Sequence, residues 1–146
     1  MKLNLPDVNI LVALHDVKHV GHDQAHNWFE TEGKECWVTC PLTENGFIRV
    51  FSQSQYPNNV HGVMSAISLL ENMTNLYGST HYFWQDGVSL RDRNLVDPAK
   101  IAGPKQITDV YLLALCQQNG GTLVTLDAKM TVSAIVSPRA DLLRIL

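Results

Sequence analysis

Leu3-Asn4-Leu5-Pro6-Asp7-Val8-Asn9-Ile10-Leu11-Val12-Ala13-Leu14 places one carboxylate, Asp7, inside an almost unbroken apolar run. An ionised carboxylate in such surroundings is costly unless something pairs with it or binds it. The nearest charges in sequence are Lys2 and Asp16, so no local partner presents itself. The run predicts a short buried strand up to Pro6, Asp7 at its carboxyl end, and a helix from about Val8. In open α/β sheets ligands sit at that end of the strands. The rest of the chain therefore faces one question: whether it brings more carboxylates to the same place.

With 146 residues, 45% of them hydrophobic and 17% charged, the chain reads as one domain, 1–146, with a full core. No apolar run approaches the roughly 20 residues of a membrane span, and no secretory leader is evident at the N-terminus. Cys36, Cys40 and Cys116 are an odd number without zinc-type spacing. They read as reduced, buried thiols in a cytoplasmic protein. A net charge of −3 gives no basic footprint for tight nucleic-acid binding. An enzyme that holds a phosphodiester through a metal and a few local cations remains compatible with it.

Beyond the opening unit, His15 to His22 reads as a polar connection and His22 to about Thr31 as a helix, its apolar stripe Ala25, Trp28 and Phe29. His15, His19, His22 and His26 resemble a metal cluster by count only. Their spacing favours solvated loop and cap histidines. Cys36–Cys40 predicts a second buried strand, and Pro41 suits the first turn of a helix running to about Gln53. Ser54–Asn59 reads as a turn. Val60 to Leu76 has a helical period through Val63, Ile67, Leu70 and Met73. His81–Trp84 is a candidate third strand, and residues 85–100 read as loop or one short helix. A buried helix opens at Ile107-Thr108-Asp109, with Thr108 as N-cap, and Gly120-Gly121 ends it. Thr122–Leu126 is the next strand, followed by Asp127, and Leu142–Leu146 the last.

Strands alternating with helices imply a mostly parallel sheet covered on both faces, a three-layer α/β/α sandwich. In that architecture Asp7, Glu44, Asp109 and Asp127 all fall at strand ends or in helix first turns. Four carboxylates in one crevice repel and raise each other's pKa values. A bound divalent cation removes that cost, and oxygen ligands favour Mg2+ or Mn2+ over zinc. Asp7 and Asp109 are assigned as metal ligands. Glu44 is a ligand or a positioner of water, and Asp127 completes the shell directly or through water. Asn9, Thr108 and Thr125 are candidate hydrogen-bond partners of these ligands. Arg49 and Lys129 are candidate phosphate contacts, weighed evenly against solvated surface cations. Such a site suits phosphodiester hydrolysis.

Asp7 to Leu14, Cys40-Pro41-Leu42-Thr43-Glu44-Asn45-Gly46-Phe47-Ile48-Arg49-Val50, Thr108 to Leu115, and Leu123-Val124-Thr125-Leu126-Asp127 resemble the four acidic motifs of PIN-domain ribonucleases. The nearest likeness is to the VapC-like toxins of bacterial toxin–antitoxin pairs, and it runs over essentially the whole chain. The resemblance implies a magnesium- or manganese-dependent endoribonuclease, homodimerisation, and a VapB-like antitoxin partner. Asp7, Glu44, Asp109 and Asp127 match the family's acidic positions one by one. Two positions depart from its pattern. Val8 stands where many members carry a hydroxyl, and Met130 where an aromatic is common.

The competing readings are a haloacid-dehalogenase-type magnesium phosphatase, a receiver domain, and a catalytically idle PIN-fold binding module. The phosphatase needs a second aspartate two residues after the first, where this chain has Asn9. The receiver domain needs a tight acidic pair near the first strand.

Overall fold

A computed structural model describes residues 2–57 and 62–146. The end of the expected turn at Asn58 and Asn59, and the expected helix start at Val60, lie outside the described residues. Among the described residues, β1 (Leu3–Pro6), β2 (Trp37–Thr39), β3 (His81–Phe83), β4 (Gly121–Thr125) and β5 (Leu143–Ile145) form one sheet in the order β3-β2-β1-β4-β5, every neighbouring pair parallel. The helices are α1 (Val8–His15), α2 (His22–Thr31), α3 (Pro41–Phe51), α4 (Gly62–Leu76) and α5 (Ile107–Asn119). None of these is long and apolar enough to cross a membrane.

Alternation along the strands divides the core into two. Trp37 and Val124 face a layer built by Ile10 and Leu11 of α1, Trp28 and Phe29 of α2, Phe47 and Phe51 of α3, and Leu70 and Met73 of α4. Leu5, Val38 and Leu123 face α5, whose Leu112, Leu113 and Cys116 are fully buried. This is the expected α/β/α sandwich, with the sheet wholly parallel. All three cysteines are free and buried.

Residues 85–100 are irregular, with one 3-10 turn at Pro98–Lys100, as their composition suggested. They nevertheless close the α5 side of the core. Val96 is fully buried and bridges Ile135, and the Val136 N–H donates to the Leu95 carbonyl at 2.8 Å.

Four expectations need correction. The α4 stripe is buried only from its middle on. Ala66, Leu70 and Met73 are covered, whereas Val63 and Ile67 are 56% and 38% exposed. Helix α3 stops at Phe51, two residues early, where the Ser52 N–H closes the last turn onto Ile48. Gln106, not Thr108, stands at the N-cap of α5, because a 3-10 turn at Pro104–Gln106 leads straight into the helix. Finally, His15 is no solvated cap. Its ring lies 4.9 Å from that of Phe47, and Nδ1 bonds the Leu11 carbonyl at 2.8 Å.

Gly120 terminates α5 in the left-handed region, at φ 74°, which suits glycine and turns the chain into β4.

Candidate active site

The strand order reverses beside β1. The chain passes outward through β2 and β3, then returns to place β4 on the other flank of β1. A crevice opens at the carboxyl ends of strands at such a point. The register pairs Pro6 with Val124, so Asp7 and Thr125 emerge side by side. The Asp7 N–H extends the ladder by donating to the Val124 carbonyl at 2.8 Å.

Asp7 caps α1. Its Oδ1 accepts the Val8 N–H at 2.8 Å, and its Oδ2 accepts the Thr125 hydroxyl at 2.9 Å. Thr125 Oγ1 in turn accepts from Asn9 Nδ2 at 3.0 Å and from the Asp127 N–H at 3.1 Å. Asn9 Oδ1 accepts the Leu126 N–H at 3.1 Å. One threonine hydroxyl thus joins the cap of α1 to the turn that carries Asp127. Both polar ends of Asn9 are committed to this tie. The position where the phosphatase reading needs a second aspartate is structural here.

Asp7 is only 8% exposed, and burial raises its carboxyl above the ordinary range. The Thr125 and Val8 hydrogen bonds oppose that shift, and the charge of Asp127 adds to it. Asp109, in the first turn of α5, is pushed up to about 6 by burial, then by Asp7 and Asp127. The three aspartates therefore form one electrostatic group. Among the described residues, no three carboxylate, imidazole or thiol groups enclose a ready-made ligand cage. The all-oxygen donors of the three aspartates and their mutual repulsion fit a hard divalent ion.

Glu44 sits further along the sheet, in the first turn of α3 beyond β2. Its Oε1 accepts the Thr39 hydroxyl at 2.9 Å, and Thr39 Oγ1 also lies 2.8 Å from His81 Nε2. Pro41 starts this helix, and the Thr43 hydroxyl accepts the Cys40 N–H at 3.1 Å, which fixes where α3 leaves the strand.

Of the candidates singled out in the sequence, Asn9 and Thr125 stand against Asp7. Thr108 is exposed and lines a separate depression with Leu42, Asp86 and Tyr111. Arg49 is exposed in the last turn of α3. Lys129 does reach the site. It lines a pocket of about 270 Å³ together with Lys105, Asp109, Asp127, Thr131 and Ser133. Lys105, Thr131 and Ser133 were not among the candidates read from the sequence, although Lys105 precedes Asp109, and Thr131 follows Asp127, by four residues. A second depression, lined by Asp7, Asn9, Val12, His19 and Tyr56, opens on the α1 side.

The PIN domain family matches residues 5–134. Among similar proteins of Mycobacterium tuberculosis, Ribonuclease VapC44 is 40% identical over 131 residues, 90% of each chain. Ribonuclease VapC38 is 38% identical over 144 residues, 97% of this chain and 99% of the other. The crystal structure of the VapC20 toxin of Mycobacterium tuberculosis, described as cleaving the sarcin-ricin loop, superposes with a TM-score of 0.61. It covers 91% of this chain and 96% of its own at 9% identity, a likeness of fold.

Proposed function

This chain belongs to the PIN-domain family, and from that membership we propose that it is a metal-dependent endoribonuclease, the toxin of a VapBC-type pair. The observation that carries the reading is the gathering of Asp7, Asp109 and Asp127 at the reversal point of the sheet, close enough that Asp7 and Asp127 both raise the Asp109 carboxyl. The similar proteins named as VapC ribonucleases support the activity and, with it, a VapB-like antitoxin partner. The same reading includes a homodimer, and three free thiols suit a reducing cytoplasm.

In this reading Asp7 and Asp109 hold Mg2+ or Mn2+, with Asp127 and Glu44 binding it directly or through water. When bound, the ion acidifies a water near neutral pH and neutralises charge developing on the phosphate oxygens. The protein contributes orientation. Thr125 and the α1 N-terminus hold Asp7 by one bond to each oxygen. The turn at Asp127 is tied to the same hydroxyl, so the two carboxylates keep their separation. Lys105 and Lys129, on the wall beside Asp109 and Asp127, meet the phosphates that flank the scissile one.

The test is cleavage of RNA by the purified protein with magnesium or manganese, beside Asp7→Asn prepared identically. Cleavage by the first alone, stopped by chelator, is expected. Equal cleavage by both would mean a contaminating nuclease and would overturn the assignment. Turnover of a small phosphate ester in place of RNA would favour the phosphatase.

A further inference from the structure

Glu44 is held by a chain of two hydrogen bonds that begins on another strand. Thr39, the last residue of β2, is fully buried and has one hydroxyl proton. Its oxygen lies 2.9 Å from Glu44 Oε1 and 2.8 Å from His81 Nε2. An ionised carboxylate only accepts, so the Thr39 proton goes to Glu44. The Thr39 oxygen must then receive a proton from His81, which puts the imidazole hydrogen on Nε2. In the opposite arrangement Thr39 donates to His81, and its lone pairs face the carboxylate at the same distance. That arrangement repels.

The surroundings hold the histidine in place. His81 pairs with Trp37 in the β2–β3 ladder, and its ring stands 4.4 Å from the Trp37 ring. Trp37 is fully buried, so the imidazole is backed by a side chain without room to move. Burial lowers the His81 pKa and favours the neutral ring.

We propose that His81 is a positioning residue for Glu44, acting through Thr39: it compels the Thr39 hydroxyl to donate to one carboxylate oxygen and leaves the other for the site. This rests on the reading of Glu44 as part of an RNA-cleaving centre. The ring tautomer is independent of that reading.

The test combines nitrogen NMR of the histidine rings with steady-state cleavage. The His81 signals are identified among those of six histidines by their loss in His81→Gln. The wild-type ring is expected as the Nε2–H tautomer, and Thr39→Val should shift it toward a mixture. In cleavage, Thr39→Val and His81→Phe should lower kcat about tenfold, the low end for partners that orient ligands, with KM unchanged. Thr39→Ser and His81→Gln keep a hydroxyl and an N–H donor respectively, and should restore most of the rate. A wild-type Nδ1–H tautomer would overturn the proposal whatever the variants do. So would equal loss in His81→Gln and His81→Phe when both are folded. Absence of RNA cleavage by the wild type would sink the ribonuclease reading instead, while the ring signals would still decide the hydrogen-bond chain.

Discussion

Thr125 donates its hydroxyl to Asp7 at 2.9 Å across 118 residues of sequence, and that bond joins the two strand ends that define the site. Thr125→Val deletes the donor to a buried carboxylate and the acceptor for both Asn9 Nδ2 and the Asp127 N–H. Leaving such groups unpaired costs about 1–3 kcal/mol. A lower urea midpoint with an unchanged slope is expected, with Thr125→Ser close to wild type. A Thr125→Val midpoint equal to wild type would mean that water replaces the hydroxyl.

Asp7→Asn keeps a side-chain oxygen for the Val8 N–H, and asparagine caps helices as well as aspartate does. It also removes a charge that Asp109 feels as repulsion. The variant should therefore lose RNA cleavage without loss of thermal stability in divalent-free buffer. A clear fall in Tm would show that the bond from Thr125 to the second carboxylate oxygen, which the amide nitrogen cannot accept, outweighs the relieved repulsion.

The raised Asp109 pKa dictates a pH dependence. The group titrates at about 6 in the fold against 3.8 for its ordinary value, so between these limits the native state holds more protons than the unfolded chain. Its contribution to stability is full below 3.8 and is lost as pH rises to about 6; Asp7, also raised, acts in the same direction. Thermal melts in chelator should show stability falling through this window, and falling less in Asp109→Asn. Magnesium should raise Tm at pH 7 and have less effect at pH 4, where Asp109 is protonated. Identical profiles for wild type and Asp109→Asn would refute the assignment.

Gly46 lies where α3 crosses α1, and a Cβ there would stand 2.6 Å from Val8 Cγ2. Valine is stiff at χ1, so Gly46→Ala forces the helices apart at the residue after Asp7, at a cost of about 1–3 kcal/mol. Val8→Ala should relieve most of that loss in the double variant. Equal stability of Gly46→Ala and the double variant would locate the strain elsewhere.

Lys105 and Lys129 should act on RNA binding and leave chemistry alone. Each substitution to alanine is expected to raise KM and leave kcat near wild type. Each should also make the salt slope of binding shallower by about 0.7 for every phosphate the lysine neutralises. Arg49, exposed on the far turn of α3, should have no such effect. A salt slope unchanged in both lysine variants would remove them from the RNA path.

Local chemistry in the sequence determined the elements and the chemical character of the site. The apolar run before Asp7, Pro41 ahead of Glu44, and Gly120 behind α5 each act within a few residues, so β1, the start of α3 and the end of α5 followed from them. The buried Asp7 likewise declared itself by the absence of any local partner. Tertiary structure alone decided which groups meet. Sheet order placed Thr125 against Asp7, and β3 pairing brought His81 to Thr39. The same distant packing buried Val96 of the 85–100 stretch beside Ile135 and left the start of α4 open. The physical reason is range. Propensities and caps act within about one turn, whereas a hydrogen bond spanning 118 residues depends on strand order and register, which no local pattern encodes.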